Sequence, residues 1–281
     1  MATFGFLAPR NLWDARSEMF FSQVLAGVED EVASAGHTVL TLAAASVVEE
    51  MEIYRRWAAD GAVQAVVMRD LRQDDPRPEL LDELRLGYVL LGDVTQEGPQ
   101  AAVLVDNASS MRAVLQQLRD LGHERIAHLG GPPDLLHSRL RREAYLASVA
   151  DADEVALTAE GDYSGEEGAE ALDAFLRADP RPTAIVCDND AMAIGALGAA
   201  AELGISVPEE LSVIGWEDSM ACQLHDPPVA VLGHSLRLTG SLAGRALQAL
   251  VADPSRQERM LRPTPVLLAR GTLAAPPRTR G

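Results

Sequence analysis

The sequence predicts an α/β fold of two similar lobes, each a parallel sheet covered by helices, and three observations lead there. Short apolar runs rich in β-branched residues alternate with amphipathic helical stretches, and Gly36, Gly122 and Gly204 close three of those stretches as left-handed caps. The composition is 47% hydrophobic but only 4% aromatic, so the interior is built from Ala, Val and Leu, which suits helices layered on sheets better than a β-sandwich. A length of 281 residues allows two units, each with its own core.

The elements follow in order. Residues 3–8 form a strand that starts almost at once, and the loop after it carries Asn11 and Trp13. Residues 20–35 place Phe21, Val24, Leu25, Val28 and Val32 on one helical face, and Gly36 ends the helix before a strand at 38–43. Residues 49–60 read as helix, 62–68 as strand, 80–86 as a short helix and 88–91 as a strand ended by Gly92 and Asp93. A strand at 103–105 precedes Asp106 and Asn107, a helix at 109–121 stops at Gly122, and 126–129 is the next strand. Gly130, Gly131, Pro132 and Pro133 break the chain before a helix at 140–150 with Arg139, Arg141 and Arg142 near its start. A strand at 155–159 and a helix at 165–178 complete the approach to the central stretch.

That stretch, 182–218, reads strand, helix, strand. The run 184–187 is stopped abruptly by Asp188, Asn189 and Asp190; 191–203 is helical, with Asp190 as its expected N-cap; and 211–216 is a second apolar run ending in Glu217, Asp218 and Ser219. The crossover is long enough to make the two strands parallel, so both polar clusters leave the same edge of one sheet. Ligands of open α/β sheets bind at that edge. Beyond it come a strand at 229–232, a helix at 239–252, an Arg-rich turn and a strand at 265–270. The Pro- and Arg-rich residues 274–281 are expected to be a disordered or surface-bound tail.

Composition excludes several functions. The formal charge is −18, from 42 acidic and 24 basic residues, and the surface therefore repels nucleic-acid phosphate. Every basic residue is Arg; without Lys there is no Walker A loop, no Schiff base and no pyridoxal-phosphate site. Cys187 and Cys222 are too few for a zinc motif or a disulfide framework and read as small buried residues in a reducing cytoplasm. No export signal precedes residue 3 and no apolar run is long enough to cross a membrane, so a soluble cytoplasmic protein without cofactor or metal is expected.

Residues 182–219, PTAIVCDNDAMAIGALGAAAELGISVPEELSVIGWEDS, together with LRDLGHERIAHLGGP upstream and LHDPPVAVL and RPTPVLLARGTLAAPP downstream, resemble the LacI/GalR family of bacterial transcriptional repressors across nearly the whole chain. The resemblance implies a core like type I periplasmic sugar-binding proteins: two Rossmann-like lobes joined by three crossovers, near Val105, near His234 and within 255–263. The implied lobes are 1–104 plus 236–257 and 105–235 plus 258–276, with 277–281 as tail. It also implies a homodimer that binds a small polar effector, a sugar, between its lobes, and that passes the resulting change of inter-lobe angle to DNA through an N-terminal helix-turn-helix. Here Met1 and Ala2 run directly into the first strand; the expectation is that this module is missing from the chain rather than from the natural protein.

Carried over by position, the resemblance makes Arg141, in the string R-x-x-A-Y, the residue that grips effector hydroxyls or carboxylates, a task suited to a planar fork of donors. Asn189 becomes an amide that donates to and accepts from a polyol. Glu217 stands where the family has Asp, so effector identity does not transfer. Asp93 is a further acceptor, Tyr163 and Trp216 are aromatics able to stack on a sugar ring, and Asn11 and Trp13 line the cleft from the other lobe. Arg141 could instead be a solvated face residue beside Arg139 and Arg142, and Asp93 and Glu217 plain turn residues. Two other classes compete. A free-standing sugar-binding protein would need an export signal. A glycosidase could use Asp188, Asp190, Glu217 and Asp218 at one sheet edge, but nothing in the sequence selects an acid and base pair. His128, His137 and His225 have no nucleophile at a known spacing, and His123 reads as structural.

Overall fold

The computed structural model describes residues 1–9, 18–94, 101–152, 154–254 and 258–277, and Asn11 and Trp13 fall outside them. The chain divides into two compact units, Met1–Asp106 with Ser235–Pro263, and Asn107–His234 with Thr264–Gly281.

The first unit is built on a six-stranded sheet with every pairing parallel. Its strands are β1 (Thr3–Pro9), β2 (Thr38–Ala44), β3 (Ala65–Met68), β4 (Gly87–Asp93), β5 (Ala101–Val105) and β11 (Glu258–Leu261), in the order β11-β5-β4-β3-β1-β2. Period-two alternation sends Phe4, Phe6, Val67, Val89 and Val103 to one face, under α1 (Glu18–Ser34) and α9 (Leu236–Ala252). Leu7, Val66, Met68, Leu90 and Leu104 go to the other, under α2 (Val47–Asp60) and α3 (Arg77–Glu83). Burial on both faces is why these strands read as continuous apolar runs rather than alternating ones.

The second unit repeats the design. Its sheet, in the order β12-β10-β9-β8-β6-β7, comprises β6 (Ile126–Gly130), β7 (Leu157–Glu160), β8 (Ala184–Cys187), β9 (Ser212–Gly215), β10 (Ala230–Gly233) and β12 (Val266–Leu268). One face packs on α6 (Gly165–Leu176) and α7 (Asp190–Glu202), the other on α4 (Asn107–Asp120) and α5 (Leu136–Asp151); α8 (Met220–Leu224) is a short connector. Only β12 runs antiparallel, against β10.

The structure corrects several expectations. The Arg-rich turn after α9 contains a strand, β11, which pairs with β5 from Glu258 opposite Ala101 to Leu261 opposite Leu104, so residues 258–263 belong to the first unit and not the second. Helix α5 begins at Leu136, a turn before the expected 140, with no side-chain cap to announce it. The N-cap of α7 is Asn189 and not Asp190: Asn189 Oδ1 accepts from Met192 N–H at 2.8 Å, while Asp190 is the first helical residue. The tail is anchored as far as it is described. Thr272 is fully buried and bridges Val213 O and Ala230 N–H, and the Ala274 carbonyl receives hydrogen bonds from the Ser212 hydroxyl and at His123 Nε2. His123 is thereby structural, with its other nitrogen on Thr183 Oγ1 at 2.9 Å. Both cysteines are buried, and burial pushes the Cys222 thiol up to about 12 and Cys187 higher still, so neither is a thiolate at neutral pH.

Candidate functional site

Strand parity decides which side chains meet at the carboxyl edge of the second sheet. His128 shares the parity of Ile126, Asp188 that of Ala184 and Val186, and Trp216 that of Ser212 and Ile214, so all three face α4 and α5. From α5, Arg141 and Tyr145 reach this face together, four residues apart. The first residue of α4 supplies Asn107.

Arg141 is buried, at 9% exposure, which removes the solvated-face reading. Its Nε donates to Asn107 Oδ1 at 2.9 Å and its Nη1 to the Asp188 carbonyl at 3.2 Å, while the guanidinium carbon lies 4.0 Å above the centroid of Trp216. Nη2 has no hydrogen-bond partner among the described residues. Trp216, at 2% exposure, is part of the core, and one face of its ring carries the Arg141 guanidinium.

Asp188 is the charge beneath that arginine. Its Oδ1 accepts from His128 Nε2 at 3.0 Å, its Oδ2 accepts from Gly131 N–H at 3.2 Å, and Arg141 Nη1 stands 3.7 Å from Oδ2. Burial opposes ionisation, but Arg141, His128 and the Gly131 N–H outweigh it and hold this carboxyl below the usual carboxylate range. Tyr163 lies over Gly131, where an added Cβ would stand 2.2 Å from the ring. Its hydroxyl is held by His137 Nε2 at 2.8 Å and Ser138 Oγ at 2.9 Å, its ring lies nearly parallel to His137, and its backbone takes a left-handed φ of 70°. The Tyr163 carbonyl accepts from Asn189 Nδ2 at 2.9 Å, so both ends of the Asn189 amide are engaged in local structure.

Of the four carboxylates that competed as a catalytic set, Asp188 is committed to His128 and Arg141, and Asp218 forms a two-pronged pair with Arg270 at 2.7 and 2.9 Å. Asp190 Oδ1 accepts from Ala191 N–H, and Glu217 is half-buried just beyond Trp216. No group of residues able to hold a metal ion occurs among the described residues.

At the carboxyl edge of the first sheet, Asp93 ends β4, buried, opposite Val105 of β5. Beside it, directly after β3, stands Arg69, which the sequence pattern did not single out. It is buried, pairs with Asp70, donates to the Leu7 carbonyl at 3.1 Å and lies 4.1 Å over the Phe21 ring; its Nε is buried without a partner. The loop that carries it is clamped by Arg77, which spans Asp75, Glu50 and the Asp70 carbonyl. His128 was weighed only as a catalytic histidine and Asn107 only as the end of a strand, because each makes its contact with a residue distant in sequence. The available signal was parity: a histidine inside an apolar strand, on the same face as Asp188.

A family model described as periplasmic binding protein-like domain matches residues 115–273. The transcriptional regulator CelR of Thermobifida fusca is 30% identical over 243 residues, covering 84% of this chain and 70% of its own, and the repressor PurR of Vibrio atlanticus is 26% identical over 261, covering 92% and 78%. Among solved structures, a LacI family transcriptional regulator from Bifidobacterium animalis superposes with a TM-score of 0.89 at 27% identity over 98% of both chains. A complex of the regulator CelR with cellobiose superposes with a TM-score of 0.86 at 25% identity, over 96% of this chain and 84% of that one.

Proposed function

The chain belongs to the LacI/GalR family of transcriptional regulators and carries its periplasmic-binding-protein-like core, and from that premise we propose that it senses a small, uncharged, hydroxyl-rich metabolite of the sugar class. It acts as the effector-binding and dimerisation core of a regulator whose helix-turn-helix reads DNA. The observation that carries this reading is Arg141: a buried guanidinium at a strand-end edge, held on three sides and with Nη2 left over for a ligand oxygen. Glu217, Asn189, Tyr163, Trp216 and Asp93 remain proposed contacts at the two sheet edges, as do Asn11 and Trp13 in the segment after β1.

Charge narrows the class. Asp188 compensates Arg141, Arg270 compensates Asp218, and Asp190 adds a formal negative charge at the same edge. A phosphate or carboxylate ligand meets an already neutralised arginine in an acidic setting, whereas a polyol needs only directional donors and acceptors. The regulator CelR, solved with cellobiose, is a relative with such a ligand. Binding shifts the core between two states of different operator affinity, and a coupling of about 1–3 kcal/mol is enough to change that affinity from several-fold to a hundredfold.

A thermal-shift panel of mono- and disaccharides, led by cellobiose and set against sugar phosphates and nucleosides, tests this. A neutral sugar at a hundred times its Kd adds about 2.7 kcal/mol of stability. Arg141→Lys keeps the charge opposite Asp188 but loses the fork, and is expected to weaken that sugar at least tenfold by calorimetry. An unshifted panel overturns the sugar class, and an unchanged Kd in the variant overturns the site.

A further inference from the structure

We infer that His128 is a positioning residue for Arg141, acting through Asp188. His128 is fully buried in the middle of β6, a place where the neighbours on its face, Ile126 and Val186, are apolar. An aliphatic side chain would pack there without difficulty; the histidine instead leaves Nδ1 buried and without a partner. What it supplies in return is the one hydrogen bond to Asp188 Oδ1, from Nε2 at 3.0 Å. The other oxygen has Gly131 N–H and the charge of Arg141. Without His128, Oδ1 loses its donor, and the carboxylate against which the arginine is balanced is held through Oδ2 alone.

The ring is itself prepared for this. Tyr145 stands 5.2 Å from it as a wall, fixed by its own hydroxyl, which donates to the Ile126 carbonyl and accepts from Leu157 N–H, and the missing side chain at Gly130 leaves room beside the ring, where an added Cβ would come within 3.3 Å of Cε1. A proton on Nε2 donates to Asp188, and one on Nδ1 would be a buried donor with no acceptor, so the geometry selects the Nε2–H tautomer. Asp188 then carries the restraint to Arg141 twice, by its carboxylate charge and by its main-chain carbonyl. The chain of contacts runs His128, Asp188, Arg141, Trp216, and ends at the donor that the proposed function assigns to the effector. Only the consequence for ligand affinity rests on that assignment; the positioning is a property of the protein alone.

The experiment therefore uses no ligand. In the 15N-labelled full chain, long-range proton–nitrogen spectra at neutral pH are expected to show the His128 ring protonated on Nε2 and bare on Nδ1. The Arg141 Nε–H signal, identified by its loss in Arg141→Lys, is expected to be displaced by the ring current of Trp216. In His128→Leu that displacement collapses and the signal broadens, whereas His128→Gln, whose amide nitrogen stands where Nε2 was, retains it. His128→Asn, polar but too short to reach Asp188, behaves like the leucine variant and serves if that variant does not fold. An unmoved Arg141 signal in folded His128→Leu or His128→Asn, or a ring protonated on Nδ1 in the unmodified chain, overturns the inference. A sugar panel without a hit leaves these results untouched, so the two proposals fail separately.

Discussion

At the residue scale, the second unit is governed by a buried charge and its compensation. Asp188 has no solvent to ionise into, and it stays a carboxylate because Arg141, His128 and one backbone N–H surround it. The sign of its linkage to stability follows. Its folded value lies below the unfolded value of about 3.9, so its contribution is complete above that pH and is lost as pH falls below it towards the folded value. Asp188→Asn is expected to flatten the acid limb of stability below about pH 4 in chemical unfolding measured across pH, with a lower plateau at pH 7 because Arg141 is left uncompensated. A plateau and acid limb identical to those of the unmodified chain would contradict this. Parity in the sequence was enough to put Asp188, His128 and Trp216 on one face. It could not say that the Arg141 guanidinium lies over the Trp216 ring, because that depends on how α5 packs on the sheet.

At the scale of elements, the helix pairs are set by glycine. In the second unit, a Cβ on Gly195 of α7 would fall 1.9 Å from the Gly165 carbonyl of α6, and one on Gly168 of α6 would fall 2.2 Å from the Met192 carbonyl of α7. The first unit repeats this between α1 and α9, where a Cβ on Gly27 would meet the Arg237 carbonyl at 2.1 Å and one on Gly240 the Val24 carbonyl at 2.0 Å. Those contacts involve main chain, which cannot swing aside, so Gly195→Ala must separate α6 from α7. A loss on the order of 1–3 kcal/mol is expected in urea unfolding. Gly198 is the control: it is exposed on the same helix, with nothing within 4 Å of its added Cβ, and Gly198→Ala is expected to add about 0.5–1 kcal/mol through helix propensity. If both substitutions behave alike, the close approach is not what holds the pair. The helices themselves were legible from their spacing and closing glycines. Their ends were less so: α5 starts early without a cap, and the α7 cap fell one residue from the expected Asp190, since Asn189 and Asp190 are both good caps and only the backbone turn chooses between them.

For the molecule as a whole, the first unit is discontinuous, and its stability depends on a segment that arrives late. Leu236, Ala243, Ala246, Leu247 and Leu250 of α9 lie in the same core as Phe4, Phe6, Val89 and Val103, and β11 completes the sheet beside β5. Each buried leucine contributes about 1.5–3 kcal/mol, so α9 alone accounts for a large share of the roughly 5–15 kcal/mol by which a domain is stable. A fragment of residues 1–106 is therefore expected to show no cooperative thermal transition and no near-ultraviolet dichroism, and a sharp transition in that fragment would refute the dependence. Sequence alone determined the α/β class, the two-unit size and the common edge at which the ends of parallel strands gather, since each follows from local periodicity and from how chain direction fixes a parallel sheet. Tertiary structure alone decided that residues 258–263 return to the first unit, with 258–261 as a strand of its sheet, and that His128 and Asp188, 60 positions apart, close on each other beneath Arg141. Pairing over such distances is selected by the packing of the whole core, and no local pattern records it.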